Sequence, residues 1–176
     1  MAAAAQLMPE LTLEEYLHTA YHPDCDFVDG HLEERHMGTT KHSLLQAELV
    51  FWFRSHRDPW SIRVMSELRT QVGPSRIRLP DVTVAFNDEA MREELRTTPP
   101  LIAIEILSPE DRMHRVLLRL RDFLNMGVAH IWLLDPIERV AYTYSAFGLQ
   151  LIDEARLTVP DSLIYLDLPA VFASLD

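Results

Sequence analysis

Two acidic residues stand where the surrounding sequence makes them costly. Glu105 lies in the middle of the apolar run LIAIEIL, residues 101–107. A strand this apolar reads as covered on both faces, and burying a carboxylate there is unfavourable unless its charge is compensated. Asp81 directly follows Pro80 at the start of a second apolar strand, Val82 to Phe86. If the two strands are neighbours, both carboxylates converge on one point. A hard divalent cation such as Mg²⁺ (or Mn²⁺) needs only one or two carboxylates, and takes its other oxygens from water, carbonyls and phosphate. Such an ion polarises a phosphodiester and acidifies an attacking water. The plainer reading is that Glu105 faces solvent at a sheet edge or pairs with an arginine.

The elements that must position these residues follow from local pattern. Thr12-Leu-Glu-Glu15 is a capping box, which predicts a helix near 12–20. Asp29-Gly30 between 26–28 and 31–35 predicts a hairpin. A helix over 41–56 carries Leu45, Leu49 and Trp52 on one stripe. From Ser61, strict alternation from Ile62 to Val72 predicts one strand, with the turn at 73–76 returning it over 78–86. Residues 87–98 read as a polar loop or short helix. Residues 111–126 read as a helix stopped by Gly127, and HIWLL (130–134) as a buried strand. A hairpin over 140–144 and 149–153 ends the pattern. The expected fold is an α/β domain with a mixed central β-sheet flanked by helices. Residues 1–22 form an N-terminal helix, 61–135 the part that bears the chemistry, and 136–176 a hairpin and tail of the same single domain.

Composition limits what this domain does. The chain has 176 residues and a formal charge of −11, which opposes coating nucleic acid or an anionic membrane through its net field. No apolar run approaches a membrane span, and MAAAAQLMPE lacks a basic region before an apolar core, so a cytoplasmic protein is expected. The lone Cys25 excludes an internal disulfide and a cysteine zinc cage. The 16 cations include a single lysine, Lys41, and they are clustered. Residues 54–78 hold Arg54, Arg57, Arg63, Arg69, Arg76 and Arg78 against Asp58 and Glu67. Residues 112–121 hold Arg112, Arg115, Arg119 and Arg121 against no acid. These two segments are the expected surfaces for a phosphate backbone. His18 and His22 have helical spacing, but Pro23 and the missing Glu argue against a zincin site. Gly38-Thr-Thr-Lys41 lacks the phosphate-loop arrangement.

Pro80-Asp81-Val82, then Glu105-Ile106-Leu107-Ser108-Pro109, Gly127-Val128 and Trp132-Leu133-Leu134-Asp135-Pro136 form an ordered set. With Asp29-Gly30 and His42, this set resembles the Uma family of putative restriction endonucleases, a branch of the PD-(D/E)xK nuclease superfamily. The resemblance implies a restriction-endonuclease-like core and Mg²⁺-dependent cleavage of DNA by a homodimer. It implies Asp81 and Glu105 as catalytic metal ligands, completed by the backbone carbonyl of Ile106. The superfamily's lysine, two residues after the second acid, is here Leu107. The family's D-x-x-x-K on the following helix is here Arg115 and Arg119, so Arg119 stands at the lysine's position. Arg112, Arg115 and Arg119 share a stripe beside the helix's apolar face, and Arg119 is expected to hold phosphate; a guanidinium is no general base. Glu48 or Glu67 would add a third carboxylate, and Lys41, Arg112 and Arg115 would contact phosphate. Loss of the family's Asp and Lys also permits a catalytically impaired nuclease fold that binds nucleic acid or protein. A structural oligomeric module is the third class.

Overall fold

The computed structural model describes residues 10–35, 38–87 and 95–176. The expected N-terminal elements form. Thr12 caps α1 (Leu13–Leu17) with the complete reciprocal capping box. Asp29 and Gly30, both at positive φ, turn β1 (Asp26–Val28) into β2 (His31–Glu33). This is the turn geometry that the D-G dipeptide favours. Thr39 caps α2 (Thr40–Ser55), which a single turn, α3 (Arg57–Trp60), follows.

The long alternating stretch departs from expectation. It forms β3 (Ile62–Ser66) and β4 (Thr70–Gly73), and its return forms β5 (Arg76–Arg78) and β6 (Val82–Phe86). Both arms break at the same level. Glu67 adopts φ +52° and its N–H donates to the Pro80 carbonyl at 3.1 Å. Proline has no N–H to continue a ladder, so regular pairing stops there. The hairpin therefore passes from one sheet into another, and Asp81 sits at the passage. Residues 88–94 of the expected polar loop lie outside the described residues.

The central sheet has six strands in the order β10-β9-β8-β7-β6-β3. It includes β7 (Ile102–Ile106), β8 (His130–Asp135), β9 (Val140–Ser145) and β10 (Gly148–Ile152). Its one parallel pair, β7 with β8, is bridged by α4 (Met113–Met126), which Gly127 ends at φ +97°. Mixed pairing is the expected sheet type. A four-stranded sheet, β2-β1-β5-β4, lies beside it. The tail supplies more than a hairpin: β11 (Arg156–Thr158) pairs with β12 (Tyr165–Asp167), and α5 (Leu168–Ala173) follows. These pieces are too short to show a period in sequence, yet Leu157, Leu166, Val171 and Phe172 join the core.

Two apolar layers flank the central sheet. Ile102, Ile104 and Ile106 of β7 pack with Leu45, Leu49 and Phe53 of α2. Ala103, together with Ile131 and Leu133 of β8, packs under Val116, Leu120 and Phe123 of α4. Strand alternation therefore turns Glu105 toward α4, on the face of Ala103. No helix among the described residues is long and apolar enough to cross a membrane.

Candidate active site

Strands β6 and β7 are antiparallel neighbours with Val82 opposite Ile104, a register that brings Asp81 opposite Glu105. The Ile106 N–H donates to Asp81 Oδ2 at 2.7 Å, which fixes that carboxylate against the end of β7. Asp81 and Glu105 are 2% and 1% exposed, so the sheet-edge reading of Glu105 fails and its pairing with an arginine holds. Like charges opposed across a strand pair repel, and here both are out of water.

The two carboxylates are compensated unequally. Asp81 Oδ1 meets the Arg35 guanidinium, and Oδ2 has His42 Nε2 at 3.4 Å besides the Ile106 amide. Burial works against the Asp81 charge, but His42, Arg35 and the amide together hold its carboxyl below the usual range. Among the described residues Arg119 is the one cation within ion-pair distance of Glu105. Arg119 Nε lies 3.1 Å from Oε2, but the N–H is not aimed at the oxygen. Neither Glu105 oxygen accepts a hydrogen bond. Burial therefore dominates and pushes Glu105 up to about 7, with Arg119 opposing and Asp81 adding to the rise. Two neighbouring carboxyls thus differ in proton affinity, an asymmetry typical of acid–base sites.

α4 delivers Arg119 because its apolar face rests on the sheet. Val116, Leu120 and Phe123 are buried, and Arg119 lies one helical turn from Val116 and from Phe123. Its Nη2 also lies 3.5 Å from Asp111 Oδ1. The helix's attitude is fixed from behind by ion pairs. Arg78, 1% exposed, donates from Nε to Asp122 at 2.8 Å, and from Nη1 to Asp26 at 3.0 Å and Glu33 at 2.7 Å. Arg76 Nη1 reaches Asp122 at 3.0 Å.

Arg35, His42, Asp81, Glu105, Ile106, Ser108, Asp111 and Arg119 surround a cavity of about 20 Å³. That volume suits one water or one small ion. Beside it opens a cleft of about 300 Å³, bordered by Asp24, Arg35, His42, Gln46, Glu67 and Asp81. Of the expected third carboxylates, Glu67 is exposed and borders only the cleft, because its positive φ ends β3 one residue short of Asp81. Glu48 borders neither space; His42, Ser43 and Gln46 are the α2 residues that do. Lys41 is half-buried beside His42 and borders neither space. Arg112 and Arg115 are exposed on the first turn of α4, with no ion pair among the described residues. Arg35 and Asp111 escaped the sequence reading. The family's helix-opening histidine was the one legible sign of His42.

Four of the six arginines in the basic segment 54–78 are engaged by carboxylates within the fold. Arg57 pairs with Asp58, Arg69 with Asp24, Arg76 with Asp29 and Asp122, and Arg78 is buried among three carboxylates. Sequence charge counted cations that folding neutralises. Arg119, expected to hold phosphate, is paired in this structure with Glu105 and Asp111.

A mixed sheet with one parallel crossover, and an Asp and a Glu opposed at its end, is the arrangement of a nuclease-type α/β fold. The sequence model of the Uma2 family, described as putative restriction endonucleases, matches residues 13–168, and the chain belongs to that family. The crystal structure of a putative nuclease belonging to DUF820 from Anabaena variabilis ATCC 29413 is similar, with a TM-score of 0.82 and 26% identity. The match covers 94% of this chain and 99% of that one. No curated protein matches the sequence.

Proposed function

We propose that the protein is a divalent-metal-dependent endonuclease acting on DNA, with Asp81 and Glu105 as its metal ligands. The observation that carries this reading is Glu105: a fully buried carboxylate, neither oxygen hydrogen-bonded, facing a cavity of about 20 Å³ opposite a second carboxylate. Buried polar atoms are nearly always partnered, and an orphaned pair calls for a ligand. The donors are all oxygen, which suits Mg²⁺ or Mn²⁺ rather than zinc. No group of three or more His, Cys, Asp or Glu side chains gathers as a metal cluster among the described residues, and Mg²⁺ requires none.

Asp81, Glu105 and the Ile106 carbonyl would hold the ion, which would supply Lewis acidity at the phosphate and a more acidic water. The protein's own groups do the rest. The Ile106 amide and His42 keep the Asp81 carboxylate ionised and oriented. Arg119 compensates charge beside Glu105 and, always protonated, takes no proton from water. Arg112 and Arg115 are free to meet phosphates, so binding should weaken as salt rises.

Cleavage of plasmid and single-stranded DNA in Mg²⁺ or Mn²⁺ tests the reading, comparing wild type with Asp81→Ala and Glu105→Ala. Both variants should lose activity by at least about 10²-fold, the scale of a lost electrostatic contributor. Equal cleavage by all three would refute the assignment. One observation favours the alternative, an impaired nuclease fold that binds nucleic acid or protein: both carboxylates face guanidinium groups, and Arg119 replaces the family lysine. An inert wild type would refute the first reading, and turnover gained by Arg119→Lys would then show that the site is intact apart from that one residue. Mn²⁺ binding with no turnover by either protein would establish the second.

A further inference from the structure

Arg35 lies outside the residues that the family resemblance assigns, yet it pairs directly with Asp81. Its guanidinium occupies Asp81 Oδ1, while Oδ2 is already engaged by the Ile106 amide and faces His42. Among the described residues Oδ1 has no partner other than Arg35, so it is the Asp81 oxygen more open to an ion, and Arg35 now sits on it. Two cations cannot share that side of one buried carboxylate without strong repulsion.

The surroundings offer Arg35 somewhere to go. It borders the 20 Å³ cavity, the 300 Å³ cleft, and a third hollow of about 600 Å³ lined by Asp24, Glu34 and Glu110. Glu67 borders the cleft and already favours the Arg35 charge. The side chain can leave Asp81 and remain among carboxylates. Arg119 has no comparable route, because it is held between Glu105 and Asp111 under α4.

We propose that Arg35 is an exchangeable counter-cation: it neutralises Asp81 in the metal-free protein, and a divalent cation must displace it toward the acidic cleft. The inference rests on the proposed metal site and adds a competitor to it. The exchange would keep Asp81 ionised when no metal is present, and would weaken metal affinity below what two buried carboxylates provide. In the metal-bound form it would also turn a guanidinium toward the cleft.

Calorimetric titration with Mn²⁺ tests this on wild type, Arg35→Gln, Arg35→Lys and Asp81→Asn. Arg35→Gln should bind Mn²⁺ at least roughly tenfold more tightly than wild type, the fold-change of one charge-assisted hydrogen bond. Added guanidinium, at millimolar levels well below denaturing ones, should weaken Mn²⁺ binding to Arg35→Gln; equimolar NaCl should not. Arg35→Lys should fall between, because an ammonium keeps the charge without the fork. Asp81→Asn should bind weakly whatever stands at position 35. Equal or weaker binding by folded Arg35→Gln overturns the exchange, and binding by wild type would leave the metal site standing. Absence of binding by wild type and every variant overturns both. Wild type alone gives a second readout that no substitution can spoil. In side-chain ¹⁵N spectra, assigned through its own backbone, the Arg35 guanidinium should lose its protection from exchange on adding Mg²⁺, while buried Arg78 keeps its own. Unchanged protection of Arg35 at saturating Mg²⁺ refutes the displacement.

Discussion

Replacing Glu105 by Gln keeps the shape of the side chain and removes its titration, which isolates the cost of burying that carboxylate. In the folded, metal-free protein the carboxyl is pushed from 4.5 to about 7, mainly by burial. The folded state therefore holds a proton over a range in which the unfolded chain has released it. The Glu105 contribution to stability must fall as pH rises from about 4.5 through about 7, and level off above. The side chain is 1% exposed, so solvent screening offers little discount. At 1.36 kcal/mol for each tenfold change in proton affinity, the loss is about 3 kcal/mol. For a domain of this size that corresponds to roughly 6–12 °C in melting temperature. Urea unfolding of wild type and Glu105→Gln at several pH values from 4.5 to 8.5, in chelator, gives the comparison. The constant cost of leaving Arg119 with Asp111 alone cancels when slopes are compared. Wild type should lose about 3 kcal/mol relative to the variant across this range. Parallel profiles would refute the assignment of Glu105 as a buried carboxylate forced to ionise without a hydrogen bond.

Three other outcomes follow from the geometry. His42 is raised above 6.5 because its pairing with Asp81 outweighs burial, so it stabilises the fold below pH 6.5 and loses that effect as pH climbs through its folded value; His42→Gln should flatten the metal-free stability profile above pH 6.5, visible in the same urea series. Arg78→Met leaves buried Asp26 without its cation and Asp122 with Arg76 alone, and should cost about 3–5 kcal/mol in urea unfolding at pH 7; a loss under 1 kcal/mol would show that the network is dispensable. Gly127→Ala should cost only about 1 kcal/mol, since the residue holds φ +97° but a Cβ there would meet just Pro99 at 3.7 Å; calorimetric melting measures it.

How much of this was legible in advance varies with the range over which each feature is encoded. Capping at Thr12, the Asp29-Gly30 turn and the stop at Gly127 depend on neighbours within a few residues, and each formed where local chemistry placed it. The two central strands were visible as apolar runs because both of their faces are covered. The single strand expected over 62–72 was an error of the same local reasoning. Alternation continues across Glu67, but the chain changes sheets there, and only pairing with the Pro80 arm reveals the break. The short tail elements were invisible because their burial depends on α2 rather than on their own period.

The sequence by itself determined the chemistry available: an Asp after a proline, a Glu inside an apolar strand, and four arginines with no acid over 112–121. Those facts are covalent and survive any folding error. Tertiary structure alone decided how the charges are matched. Four arginines of the basic segment are consumed by partners in the fold, and Arg35, 46 residues from Asp81, becomes its nearest cation. Glu105, with no hydrogen bond to offset its burial, holds its proton to about 7. The physical reason is that desolvation and Coulomb energy depend on distance and burial in space, and neither is a property of position along the chain.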